Sequence, residues 1–126
     1  NFGFRSNGHT IFLYGHWEGH EMMAKLAAAV EAARPRWNDD AYATRIAVTH
    51  LVNQDRASLT ETGWGLSVDS LCDNEHKVPV VTWERWEGPG FVALYHESDA
   101  ITQPATGAIF SMSLEAFVGK FSKVGV

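Results

Sequence analysis

The chain has 126 residues, 45% of them hydrophobic, and 10 Lys+Arg against 15 Asp+Glu give a formal charge of −5. This length and apolar content fit one globular domain that needs no staple, and they argue against disorder, collagen and a membrane span. The acidic balance argues against a duplex-binding protein, and the one cysteine, Cys72, leaves neither an intrachain disulfide nor a Cys-rich zinc site.

Phe2 to Arg5 alternates and reads as a short first strand. Asn7-Gly8 is a strong hairpin dipeptide, and Thr10 to Tyr14 is apolar on both faces, so residues 2–14 read as a hairpin. Gly15 to Gly19 turns the chain. From His20 to Arg34 the composition is helical, with Met22, Met23, Leu26 and Val30 at helical spacing, and Pro35 ends the run. Asn38 is a good N-cap for a second helix, and Asp39 and Asp40 favour its first turn. Ala43, Ile46, Ala47, His50 and Leu51 give that helix a semi-apolar face up to about Gln54.

Residues 55–65 read as loop, Leu66 to Leu71 as a short strand, and Asp73 to Lys77 as a polar turn. Val78 to Trp83 reads as a strand, with Pro79 marking an edge or a strand start. Residues 87–90 (EGPG) turn the chain back into a strand over Phe91 to His96. Residues 97–107 read as loop and Ala108 to Ser111 as one more strand. Ser113 caps a last helix, Leu114 to Phe121. The order of strands, two helices, strands and one helix points to an α+β fold. An antiparallel or mixed sheet of about four to six strands is expected, with about three helices mainly on one face.

The most informative segment for chemistry is 14–21, Tyr-Gly-His-Trp-Glu-Gly-His-Glu. A buried strand runs into a Gly-flanked turn and then a helix, whose free N–H groups favour an anion. His16 can bond that anion, Trp17 can stack on a ring, and Gly15 and Gly19 allow close approach. The plainer reading is an ordinary connection with Trp17 as a core lid. His16 and His20 are four apart, a spacing that suits a metal only if both lie on one helix. The third ligand is open among His50, Asp55, Glu75, His76 and His96. In residues 60–65, Thr-Glu-Thr-Gly-Trp-Gly, Trp64 is either a stacking wall beside Glu61 or a core plug. Arg34, Arg36 and Arg45 offer forks for a phosphate or carboxylate, and otherwise read as surface cations. Asp73-Asn74-Glu75-His76 is either an acid/base set or a solvated turn. Trp83 and Trp86 are three apart on an extended segment, so at least one is expected in the core. Cys72 reads as a small buried apolar residue. Gly-x-Gly-x-x-Gly, Walker, Gly-x-Ser-x-Gly and Cys-x-x-Cys motifs are absent.

Taken together, Leu13-Tyr14-Gly15-His16-Trp17-Glu18-Gly19, Arg36-Trp37-Asn38-Asp39, Glu61-Thr62-Gly63-Trp64-Gly65 and Asp73-Asn74-Glu75-His76 resemble a group of small uncharacterised proteins from phages and actinobacterial genomes. The resemblance covers about residues 2–96 and carries no catalytic residue. It implies a phage or prophage setting, where small single-domain proteins often inhibit or sequester host components.

The leading expectation is a binding protein for an anionic, nucleotide-like small molecule, such as a host defence signal. Its ligand-binding residues would be His16, Trp17, Gly19, His20, Arg36, Glu61, Trp64 and His76, with no cofactor, no resident metal and no catalytic residue. One alternative is a protein–protein module, a host-factor inhibitor or virion component. Another is a metal-assisted or acid/base hydrolase using His16, His20 and Glu75 or His76. The expected setting is the cytoplasm, that of the host cell if phage-encoded, with no membrane or duplex nucleic acid as partner. The chain carries no oligomer signature, and a homo-oligomer stays open.

Overall fold

The computed structural model describes residues 1–15, 19–53, 64–71, 77–86 and 88–122, and for Gly19 and His20 the backbone alone. The first hairpin forms as its dipeptide dictates. Strand β1 (Phe2–Ser6) pairs antiparallel with β2 (His9–Tyr14), from Phe2 opposite Leu13 to Ser6 opposite His9. Asn7 (φ 54°) and Gly8 (φ 82°) both take positive φ, as a two-residue type I′ turn requires.

Helix α1 (Gly19–Ala32) buries Met22, Leu26 and Val30. It stops two residues short of Arg34, because Pro35 and the residue before it cannot continue the helix. The chain tightens instead into a 3₁₀ turn, Arg34–Arg36. The Trp37 indole N–H donates to the Val30 carbonyl at 2.8 Å and so satisfies a group of the last helical turn. Helix α2 (Asp40–Val52) is capped by Asp39, not by Asn38. Both residue types cap well, but Asn38 is used in the preceding turn, where the Asp39 N–H donates to the Arg36 carbonyl at 2.9 Å. Ala27, Ala29 and Ala33 from the first helical stretch and Ala43 and Ala47 from α2 are all fully buried, and these small residues let α1 and α2 approach closely.

Strand β3 (Gly65–Val68) ends where Asp69 turns the chain at φ 56°, short of the expected Leu71. Strand β4 (Val78–Thr82) and strand β5 (Phe91–Tyr95) pair antiparallel. Gly90 precedes β5 because a Cβ there would meet the Thr82 carbonyl at 2.7 Å. Residues 97–107 include a short helix, α3 (Glu97–Ala100), which four residues were too few to signal. Strand β6 (Phe110–Ser113) lies two residues later than expected, in register with β5 from Leu94 opposite Phe110 to Phe91 opposite Ser113. Helix α4 (Leu114–Phe121) starts under the Ser113 cap, whose hydroxyl accepts the Ala116 N–H at 3.1 Å.

The six strands form one mixed sheet in the order β3-β2-β1-β4-β5-β6. All neighbours are antiparallel except the central pair, where β1 runs parallel to β4 with Gly3 opposite Val80. Pro79 therefore sits at the start of an interior strand, one residue before the pairing with β1 begins. The fold is α+β, with α1, α2 and α4 on one sheet face.

Strand alternation builds two cores. Phe2, Phe4, Leu13, Val81, Trp83 and Val92 meet the helices, and each large side chain so buried contributes about 1.5–3 kcal/mol. Phe4 and Trp83 stack with centroids 6.2 Å apart. Of the two tryptophans read as a pair, Trp83 is 1% exposed and Trp86 is 93% exposed. The opposite face carries a smaller cluster of Phe12, Val78, Val80, Ala93, Tyr95 and Ala100. No helix among the described residues is long and apolar enough to cross a membrane.

Candidate functional site

The site follows from the one parallel pair. From β1 the chain turns to β2 on one side, and from β4 it turns to β5 on the other. Such divergence leaves a crevice outside the carboxyl ends of the two strands. Those ends carry Arg5 and Ser6 on β1 and Thr82 on β4, followed by Trp83. With the Asn7-Gly8 turn, Asp40 and Arg85 they line a hollow of about 250 Å³.

A larger cleft of about 490 Å³ opens on the sheet face away from the three long helices. Its floor is made of alternate strand positions: Arg5, Val80, Thr82, Phe91, Ala93, Tyr95 and Ser111. The segment after α3 supplies Thr102, Gln103, Ala105 and Ala108. Arg5 and Thr82 line both hollows, so the two meet there.

Arg5 is the charged side chain of the larger cleft among the described residues. Its guanidinium donates to Gln103 Oε1 at 2.6 Å and to Thr10 Oγ1 at 3.5 Å, both neutral acceptors. Gln103 in turn donates to Thr10 Oγ1 at 3.0 Å and to the Ala100 carbonyl at 2.8 Å. It takes a left-handed φ of 50°, and its N–H donates to the Asp99 carbonyl at 2.7 Å, closing the end of α3. Burial pushes the Tyr95 phenol above its ordinary range, while the Arg5 charge pulls the other way. The hydroxyl therefore stays protonated and can donate at neutral pH.

In the smaller hollow the Ser6 hydroxyl donates to Asp40 Oδ2 at 3.2 Å, and Arg85 Nη1 lies 3.8 Å from the same oxygen. At the same turn of the first hairpin, His9 Nδ1 lies 2.7 Å from Asp69 Oδ2, and the Thr10 N–H donates to Asp69 Oδ1 at 2.8 Å. The His9 contact, then the Thr10 amide, holds the Asp69 carboxyl below its usual range.

The residues singled out from the sequence are placed as follows. His16, Trp17, Glu61 and His76 lie outside the described residues, as do Cys72 and Glu75. Gly19 and His20 open α1, which is all that is described of them. Arg36 is exposed on the 3₁₀ turn, with its guanidinium 4.8 Å from the Tyr42 ring centroid. Trp64 packs against the helix-side core and lines an apolar hollow of about 210 Å³ with Leu13, Val48, Val52 and Leu66. The described hollows do not bring Arg36 and Trp64 together. Among the described residues, no group of three or more His, Cys, Asp or Glu is placed to hold a metal ion.

Sequence reasoning passed over Arg5, Asp40, Tyr95 and Gln103 as binding residues. The available signal was Arg5 itself, a lone charge on a strand of aromatic and apolar neighbours. Comparison of the chain with protein-family models, curated proteins and solved structures gave no match in any of the three.

Proposed function

We propose that the protein binds a small anionic ligand in the cleft on the open sheet face. The anionic group sits on Arg5, and the ring of the ligand lies against the exposed Phe91, above the buried Val80 and Ala93 of the cleft floor. One observation carries this reading: among the described residues the guanidinium lining the cleft bonds to neutral oxygens, and the Asp69 carboxyl feels its charge without bonding to it. Its charge is therefore available to an incoming anion, and charge-assisted hydrogen bonds from a guanidinium fork are among the strong ones. Tyr95, Thr82, Thr102 and Ser111 add hydroxyls around it. The volume of about 490 Å³ falls within the range of small-molecule sites. In a phage setting, sequestration of a host nucleotide would need binding alone and no turnover.

Isothermal titration with AMP, GMP and ribose 5-phosphate tests the reading. Binding by the wild-type protein that falls about tenfold or more in Arg5→Gln, the loss of one charge-assisted contact, is the expected result. No binding, or equal binding by Arg5→Gln, refutes it. The protein–protein reading draws on Trp86, which is 93% exposed. It predicts a host protein that is captured by the wild-type chain and lost with Trp86→Ala.

A further inference from the structure

The position of Arg5 says more about the ligand than its charge does. Arg5 and Thr82 border both hollows, one of about 490 Å³ and one of about 250 Å³. An anion held on Arg5 would stand at the border of the two hollows. A terminal phosphate has one substituent and would fill one side only.

The smaller hollow also selects what enters it. Asp40 and Arg85 are within 3.8 Å of each other, so their charges offset and offer little to a second phosphate. Asp40 Oδ2 already accepts from Ser6, and a carboxylate has lone pairs for further donors. A neutral group rich in hydroxyl or amino hydrogens suits that space. The larger cleft presents Phe91 to a ring, over a floor of buried Val80 and Ala93, with hydroxyls at its margins.

Resting on the ligand-binding reading above, we infer that the ligand is a phosphodiester of the dinucleotide class, with its phosphate on Arg5, one ring-bearing nucleoside in the larger cleft and the sugar hydroxyls or base edge of the other facing Asp40. A free dinucleotide suits the site better than a long strand. A strand would carry further phosphates past Asp40 and along a chain whose formal charge is −5.

The test is isothermal titration of the wild-type protein, Asp40→Asn and Arg5→Gln with AMP, GMP, the dinucleoside monophosphates ApA and GpG, and a dodecamer of oligoadenylate. A dinucleotide is expected to bind about tenfold or more tightly than its mononucleotide. Asp40→Asn should erase most of that ratio between the two ligands, because the Arg85 charge it unmasks acts on both phosphates alike while the contact to the second nucleoside is lost from the dinucleotide. Arg5→Gln should weaken both. In the wild-type protein, the amide resonances of Ser6 and Gly8 should shift with ApA or GpG and not with AMP or GMP, a readout that needs no variant. Equal affinity for mononucleotide and dinucleotide overturns the inference while the ligand-binding reading stands. So does an equal loss for both in Asp40→Asn, or tighter binding of the dodecamer than of ApA when both are counted per phosphodiester. Failure of every phosphate ligand to bind overturns both.

Discussion

Thr44→Val isolates one buried hydrogen bond that shapes the site. The Trp83 indole N–H donates to Thr44 Oγ1 at 3.0 Å, and both residues are buried. Valine keeps the volume of threonine and removes the acceptor. The indole N–H is then left without a partner between sheet and helix, which costs about 1–3 kcal/mol. That is a large part of a typical stability of about 5–15 kcal/mol. With a mid-range urea slope of about 2 kcal/mol/M, the midpoint should fall by roughly 0.5–1.5 M. The assay is urea denaturation followed by far-ultraviolet circular dichroism, with tryptophan fluorescence as a second probe. In the Trp83→Phe background the same Thr44→Val change should cost much less, because no donor remains to be stranded. A midpoint unchanged in the single variant, or a full-sized loss in the Trp83→Phe background, would refute the reasoning.

Ser113→Ala should cost about 1 kcal/mol through the lost cap of α4, read as a lower urea midpoint, and Ser113→Asp should restore it. Burial raises the Tyr95 pKa, so its contribution to stability is present below pH 10.0 and is lost as pH rises through the folded value. In a spectrophotometric titration the Tyr95 step should come above the ordinary phenol range. Arg5→Gln should push that step later still, because the opposing charge is gone; an unchanged step would place Arg5 out of electrostatic reach. Glu115 lies the other way. The Arg34 guanidinium holds its carboxyl below 4.5, so its small contribution is present above that pH and is lost as pH falls through the folded value. The melting temperature of wild type over Glu115→Gln should therefore show a small excess near pH 6 that vanishes in acid.

Local chemistry made much of the fold legible. Asn7-Gly8 fixed the first hairpin, Pro35 the end of α1, and Ser113 the start of α4. Trp83 is buried, as expected of at least one of the pair, but β4 ends at Thr82 and Trp86 is exposed on the turn that follows, so strand alternation is not what separates them. The central pairing left no local trace, since Gly3 meets Val80 across most of the chain. The cleft was hidden for the same reason. Alternation places Arg5 opposite Phe4, but nothing near residue 5 tells that Gln103 will come to lie 2.6 Å from it. Arg36 drew attention as a cation beside Trp37, yet the turn that Pro35 imposes leaves it exposed against Tyr42. Trp64 stands between two glycines, which leave a stacking wall and a core plug both open, and it packs against the helix-side core.

The parallel pair also has a consequence for the order in which the molecule assembles. Strands β1 to β3 with α1 and α2 form one half of the sheet, and β4 to β6 with α4 form the other. Among the described residues, the β1–β4 ladder is what joins them within the sheet. Contacts between distant parts of a chain must offset their loop-closure entropy, so this seam closes late in folding. Arg5 belongs to the first half, and Thr82, Tyr95 and Gln103 belong to the second. The cleft therefore comes into being only when the seam zips, and any molecule held across it acts as a clasp. Amide hydrogens of Gly3 and Val80 should exchange more slowly in its presence, so that ligand binding and the last step of folding are read at the same two strands.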